Sequence, residues 1–187
     1  MKNLKDLTLE ELWQLFPIEL CNHQSVYADW YKAEEKKLHD LLDHKFIVQI
    51  HHIGSTAVER LIAKPIVDIL LETPINCDMD EMIHLLEENE WILMKKDHLA
   101  QMADLNKGYT PEGFAKKVFH LHIKPLGNHD EIYFRNYLRR HPEVAREYEV
   151  LKQELAQTYK YHRDNYTDGK TAFVKKYTQK AKEENVL

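Results

Sequence analysis

The sequence predicts an α/β protein: one sheet-bearing core with a helical segment packed on it. Three observations carry this. Apolar, β-branched runs that read as strands cluster between residues 45 and 126. Residues 1–44 show capped patterns of helical period, and that period returns after residue 126 and persists. No glycine- or serine-rich linker and no internal repeat divides the chain, so residues 1–187 read as one domain. Its parts are a helical N-terminus (1–44), a sheet core (45–126) and C-terminal helices (127–187).

Thr8-x-x-Glu11 is a capping-box pattern, in which two side chains satisfy orphan backbone N–H groups. Leu9, Leu12, Trp13 and Phe16 then share one helical face, and Pro17 stops the helix. A second helix is expected from about Ser25 to Asp43, with Tyr27, Trp30, Tyr31, Leu38, Leu41 and Leu42 as its apolar stripe. FIVQIHHI (46–53) changes period and reads as a strand, broken by Gly54-Ser55-Thr56. Thr56-x-x-Glu59 is again a capping-box pattern and predicts a short helical turn. PIVDILL (65–71) is nearly continuous in apolar residues, as a strand buried on both faces requires. Asp78 starts a helix with Met79, Met82, Ile83 and Leu86 inward. Strands are expected at Trp91–Met94 and near residues 98–105. Residues 106–116 (NKGYTPEGFAK) carry two glycines and a proline and read as a mobile loop. VFHLHIK (118–124) is another strand. From Asp130 the chain is helical. Pro142 suits a first turn, so two helices meet at His141-Pro142. Val144, Tyr148, Leu151, Leu155 and Tyr159 repeat at helical spacing, and a last helix begins near Thr167 with Phe173 and Tyr177.

A chain of 187 residues buries roughly 70% of the surface its unfolded state exposes, enough for a core. Hydrophobic residues make up 43% and charged residues 30%, which excludes wholesale disorder. A net charge of −5 argues against a dedicated binder of long nucleic acid. No apolar run reaches membrane-spanning length. MKNLKDLTLEELW has no apolar h-region, so no secretory signal is expected. Cys21 and Cys77 have no CxxC spacing, which points to a reducing, cytoplasmic setting. Oligomeric state and protein partners do not follow from the sequence.

The chemistry-bearing stretch is IHHIGSTAVERLIAKPIVDILL (50–71). At Gly54 a strand ends where backbone can approach a ligand closely. Ser55 and Thr56 add hydroxyls, and the N–H groups of the next turn form a phosphate cradle. The same residues also read as an ordinary strand-to-helix turn with a Ser/Thr cap. Asp68 sits among apolar residues, where an ionised carboxylate is costly unless paired, hydrogen-bonded or metal-bound. It is either a functional carboxylate or a structural one paired with Lys64, Arg60 or a backbone amide. His120 and His122 form an H-x-H whose rings share one face of a strand. Beside the Asp68 strand they complete a set for a divalent metal, or for phosphate when protonated. Alternatively they cap the sheet end without a ligand. His51 and His52 point to opposite faces, so at most one joins. Lys124, Arg135, Arg139, Arg140, Lys152 and Lys170 read mostly as solvated helix faces. Arg135, between Phe134 and Tyr137, and Lys170, three residues before Phe173, are the two placed to reach a phosphate.

IGSTAV followed by AKPIVDIL, then HLHI, then FRNYLRRHPEVAREYEVLKQELA and NYTDGKTAFV, resembles the GrpB family in order and spacing. The resemblance runs from about Tyr27 to Lys176. Glu59-Arg60 stands where the family has proline-glycine, and residues 98–118 match poorly. The resemblance implies a nucleotidyltransferase-like fold, with a small mixed sheet between N-terminal helices and a C-terminal helical segment. In that fold a Gly-Ser pair opens a helix and binds nucleotide phosphates. An Asp-x-Asp strand holds two divalent metals, and a later strand gives a third carboxylate. Gly54 and Ser55 match the first element and Asp68 the first aspartate. The second position is Leu70, which cannot supply a ligand, and Glu72 lies too far along the strand. His120 or His122 corresponds to the third. Such a set favours one softer metal, Zn²⁺ or Mn²⁺, over a bridged Mg²⁺ pair, or else a metal-free phosphate pocket.

The resemblance thus implies an enzyme acting on a nucleotide or related phosphate-containing small molecule, with a divalent metal (Mg, Mn or Zn). Asp68 would be catalytic and, with His120 and His122, a metal ligand. Gly54, Ser55, Thr56, Lys64, Arg135 and Lys170 would hold phosphate. The alternatives are a catalytically decayed nucleotide-binding or regulatory module, and a single-metal hydrolase using Asp68, His120 and His122. Fusion of some family members to dephospho-coenzyme A kinase points toward nucleotide or coenzyme A metabolism.

Overall fold

The computed structural model describes residues 4–127 and 129–186; residues 1–3, 128 and 187, within the expected helical ends, lie outside the described residues. The Thr8 capping box forms as expected. Glu11 N–H donates to Thr8 Oγ1 at 3.2 Å and Thr8 N–H to Glu11 Oε2 at 2.9 Å. Helix α1 (Leu9–Leu15) follows and closes at Phe16, before Pro17. Helix α2 (Val26–Leu41) buries Tyr27 and Leu38.

Five strands form one sheet: β1 (Gln49–Ile53), β2 (Val67–Thr73), β3 (Ile92–Asp97), β4 (Met102–Thr110) and β5 (Gly113–Pro125), in the order β1-β2-β5-β4-β3. Only β2 and β5 run parallel; the other neighbours are antiparallel, so the sheet is mixed. The apolar run of β2 places it inside the sheet with Val67, Ile69, Leu70 and Leu71 fully buried. Val67, Ile69 and Leu71 pack with Leu105, Leu121 and Ile123 against Tyr27 and Leu38 of α2 and Met82 and Leu86 of α3 (Met79–Glu87). Each such aliphatic side chain contributes about 1.5–3 kcal/mol. Alternation leaves Asp68, Leu70 and Glu72 on the opposite face.

Three local expectations are corrected. Residues 106–116 are a hairpin, not a mobile loop. β4 runs to Thr110 and β5 starts at Gly113, leaving Pro111-Glu112 as the connection. Gly108 (φ +88°) occupies the register shift between Lys107 and Tyr109, where a Cβ would strike the Lys117 carbonyl. The glycine that suggests a loop is therefore a bulge residue inside the sheet. The expected strand near 98–105 begins only at Met102, after a turn. The Thr56-x-x-Glu59 box does not form: the turn is a 3-10 turn over Ser55–Ala57 entered from Gly54, and Thr56 is buried within it.

Helices α4 (Asp130–Arg140) and α5 (Pro142–Thr158) meet at His141, as Pro142 requires. Helix α6 (Arg163–Glu183) starts before the expected Thr167, because His162 Nδ1 accepts the Asn165 N–H and caps it. These helices share a second core of Tyr133, Tyr137, Leu138, Tyr148 and Tyr177, packed on Val58 and Leu61. The N-terminal segment braces both the hairpin and α6. The Trp13 ring lies 4.2 Å from the His162 ring, and Phe16 lies 4.8 Å from Tyr109 and 5.0 Å from Phe114. Ile18 N–H donates to the Lys160 carbonyl at 2.7 Å. No helix among the described residues is long and apolar enough to cross a membrane.

Candidate active site

Between the Asp68 face of β2–β5 and helices α4–α6 lies a cavity of about 480 Å³. The parallel register sets Asp68 opposite His120 and Leu70 opposite His122. Asp68, His120 and His122 each present a ligand atom within 4.8 Å of the others. Both rings are oriented by neighbours. His120 Nδ1 is 3.0 Å from Asp68 Oδ1, and its Nε2 is 2.8 Å from the Tyr109 hydroxyl. Arg163 donates to the Tyr109 oxygen at 3.2 Å and approaches His120 Nε2 at 3.4 Å. This network assigns the His120 proton to Nδ1, donated to Asp68, with Tyr109 donating to Nε2. His122 Nδ1 is 2.7 Å from Asp104 Oδ1, its register partner on β4.

The charges follow from these contacts. Burial would raise the Asp68 carboxyl, but the His120 hydrogen bond and the charges of His120, His122 and Lys64 hold it down at about 2. Burial, together with Arg163 and Lys64, lowers His120 despite Asp68. Burial would also lower His122; its bond to Asp104 and the nearby carboxylates of Asp68 and Glu131 raise it.

Gly54 explains how the carboxylate fits. Its φ of +71° and ψ of −170° lie in a region essentially reserved for glycine, and a Cβ there would collide with Asp68 Oδ2. The close approach inferred from the sequence is thus made by Asp68 itself.

Five cations line the cavity: Lys64, Arg135, Lys152, Arg163 and Lys170. Of its other carboxylates, Asp130 pairs with Lys182 at 2.6 Å and Glu131 with Lys124 at 2.5 Å. Burial first, then repulsion from Arg163 and Lys170, lowers Lys64 to about 7. Burial and Lys170 lower Lys152 to about 7 as well. Among the described residues Lys64 and Lys170 have no ion-pair partner; their ammonium groups lie 5.7 and 4.5 Å from the Tyr166 ring centre. Lys152 donates to Ser55 Oγ at 3.1 Å and to the Ile62 carbonyl. Arg135 is tethered by a 2.8 Å bond to the His52 carbonyl.

The expected site residues Gly54, Ser55, Lys64, Asp68, His120, His122, Arg135 and Lys170 all line this one cavity. Thr56 does not. Its buried hydroxyl lies between His52 Nε2, at 3.0 Å, and the Ile66 carbonyl, at 3.3 Å, and it serves as a strut for the turn. Glu72 is also engaged elsewhere, with His51 at 2.7 Å, His129 at 3.1 Å and the Gly127 N–H at 3.1 Å. Sequence reasoning missed Asp104, Tyr109 and Arg163 and read Lys152 as solvated. Tyr109 and Arg163 lay in segments whose structure was misassigned. Lys152 did carry a signal: it stands at i+4 from Tyr148, on the buried stripe of its helix.

The donor set suits one divalent cation. A carboxylate and two imidazoles converge, and Asp104 on His122 Nδ1 and Tyr109 on His120 Nε2 stand where outer partners would orient metal-ligating histidines once His120 released its Nδ1 proton.

The family model described as GrpB protein matches residues 17–180. The UPF0157 protein YqkA of Bacillus subtilis is 29% identical over 180 residues, covering 93% of this chain and 51% of its own length. PA4798 of Pseudomonas aeruginosa is 39% identical over 126 residues, covering 67% of this chain and 52% of its own length. The chain thus spans about half the length of these two curated relatives. The crystal structure of GrpB from Enterococcus faecalis overlays with a TM-score of 0.76 at 29% identity, covering 89% of this chain and 99% of that one. The fold, the order of the motifs along it and these matches together make the chain a member of the GrpB family.

Proposed function

We propose that this protein binds a nucleotide or related phosphate ester in the cavity and acts on it with the help of one divalent metal. One observation carries the reading: Lys64, Lys170 and Arg163 line a site in which, among the described residues, Asp68 is the only carboxylate not held by a lysine. Crowding desolvated cations is costly, and a phosphate group between them reverses that cost. Gly54 and Ser55 border the phosphate, Arg135 closes the α4 side, and Asp68, His120 and His122 hold the metal. The metal would supply positive charge to a phosphoryl oxygen. To hold the metal, His120 would give up its Nδ1 proton and donate Nε2–H to Tyr109, and Asp68 stays ionised toward that centre.

A thermal-shift panel tests this, with nucleotides, coenzyme A precursors and phosphate, each with and without Mg²⁺, Mn²⁺ or Zn²⁺ and with metal-only controls. Ligand at about 100 times its Kd stabilises by ~2.7 kcal/mol, which raises the midpoint roughly 5–10 °C in a chain of this size. A nucleotide shift that needs metal and is lost in Asp68→Asn is the expected result. No shift from any phosphate ligand refutes the reading.

Leu70 favours a second reading, a nucleotide-binding module without turnover. It is fully buried opposite His122, at the position where two-metal transfer would need a second carboxylate. That reading requires a metal-independent shift that survives Asp68→Asn. A shift from Zn²⁺ or Mn²⁺ alone, lost in His120→Ala, marks the single-metal hydrolase instead.

A further inference from the structure

We propose that Ser55 is a nucleophile and Lys152 its general base, forming a Ser–Lys pair that takes a phosphoryl group onto the serine hydroxyl. The pair is made by the fold, since the residues are far apart in sequence. Ser55 opens the 3-10 turn after β1, and Lys152 projects from the middle of α5. Lys152 Nζ lies 3.1 Å from Ser55 Oγ, and both groups line the cavity.

Three features make Lys152 more than a tether. It is buried, 2% exposed, yet among the described residues no carboxylate pairs with it. Its other contacts are the Ile62 carbonyl and the Tyr148 ring, 4.7 Å from Nζ, so the amine is oriented without being neutralised. The groups around it favour the neutral amine. Burial and the charge of Lys170 from α6 both disfavour the ammonium, and together they outweigh Glu149 of its own helix. A neutral amine can keep one N–H on the Ile62 carbonyl and accept the Ser55 proton on its lone pair. That is the requirement for activating a serine without a histidine.

The step balances within the cavity. Ser55 Oγ attacks phosphorus as its proton passes to Lys152. The Oγ–P bond forms, the bond from phosphorus to the leaving oxygen breaks, and Lys152 returns the proton to that oxygen. Water then attacks the seryl phosphate and gives a proton to Lys152; the Oγ–P bond breaks, inorganic phosphate leaves, and Lys152 passes that proton to Ser55 Oγ. Lys64, Lys170 and Arg163 border the same space and oppose the charge on the phosphoryl oxygens. The substrate class, a phosphate ester or anhydride, rests on the proposed function; the nucleophile does not.

The test uses the full chain and a fluorophosphonate–biotin probe, whose P–F bond breaks as a serine oxygen bonds to phosphorus. The chain has only two serines, Ser25 and Ser55, so peptide mapping assigns the label without ambiguity. Labelling at Ser55 and not Ser25, absent in Ser55→Ala and unchanged in Ser25→Ala, is expected. Lys152→Met keeps the apolar stem and should slow labelling about 100-fold or more. The wild-type rate should rise with pH through about 7. No label on Ser55, or Lys152→Met labelling at the wild-type rate, overturns the pair. Circular dichroism confirms that each variant is folded, and Ser55→Ala is small enough to decide the matter if Lys152→Met does not fold. A failed nucleotide shift with intact Ser55 labelling would sink the proposed function and leave the pair standing.

Discussion

Replacing Gly54 by alanine exposes the coupling between backbone and site. Two costs add. Holding a non-glycine residue at φ +71°, ψ −170° costs about 2 kcal/mol, the middle of the range for such conformations. The new Cβ also occupies the place of Asp68 Oδ2 and pushes the carboxylate off His120. Asp68 falls from 3.8 to about 2 in the folded protein, and at ~1.36 kcal/mol per unit that is about 2 kcal/mol of stability. Asp68 is more acidic folded than unfolded, so its share is complete above pH 3.8 and disappears as pH falls through about 2. Together Gly54→Ala should cost about 4 kcal/mol at pH 7, a midpoint lower by roughly 8–16 °C. Thermal denaturation followed by circular dichroism measures it. In an Asp68→Ala background no carboxylate remains to be struck, and the Gly54→Ala step should fall to about 2 kcal/mol. Equal costs in the two backgrounds, or a Gly54→Ala protein as stable as wild type, would refute the reasoning.

Three further outcomes follow from other contacts. Glu34 is buried between Lys107 and Lys37, each at 3.0 Å, but Lys37 is 65% exposed and Lys107 only 15%. Lys107→Met should therefore cost about 3 kcal/mol and Lys37→Met less than about 1 kcal/mol by urea denaturation; the reverse order would contradict this. Burial lowers His52 from 6.5 to about 4, against the pull of Asp68. Its ring resonances should titrate near pH 4, and stability should fall between pH 6.5 and 4, because the unfolded imidazole takes up a proton that the folded one refuses. Titration near 6.5 would contradict the packing on Tyr31, whose ring stacks 4.8 Å away. Tyr109→Phe removes the donor to His120 Nε2 at a cost of about 1 kcal/mol. Nitrogen NMR should find the proton on Nδ1 in the wild type and partly on Nε2 in the variant; an Nε2–H wild type would break the assigned network.

The residues most legible in the sequence were those that broke a strong local pattern. Asp68 interrupts an apolar strand, and His120 and His122 obey the alternation of the next. Because β2 and β5 became neighbours in parallel register, Asp68 met the two histidines, which lie far from it in the chain. The hairpin of β4 and β5 was not legible, since a glycine in a bulge and one in a turn look alike without the partner strand. Missing it hid Tyr109. The end of α6 nearest the site was hidden because its cap is a histidine, His162, rather than a customary capping residue. That cost Arg163. Lys152 shows a different limit: periodicity put it on a buried face, but composition argues that lysines stay in water, and only the Ser55 and Ile62 oxygens explain why this one does not.

The N-terminal brace has a consequence for variation. Helix α1 lies outside the family-matched span of residues 17–180, and it contributes none of the cavity-lining residues. Yet Trp13 leans on the residue that caps α6, and Phe16 wedges under the hairpin at Tyr109. These supports hold the two elements that deliver Arg163 and Tyr109 to His120. Substitutions in this leading segment can therefore retune the proton balance of the centre while every residue of the centre stays the same. Lineages that share these motifs can diverge in the acidity of His120 through a stretch of chain that a motif comparison would pass over.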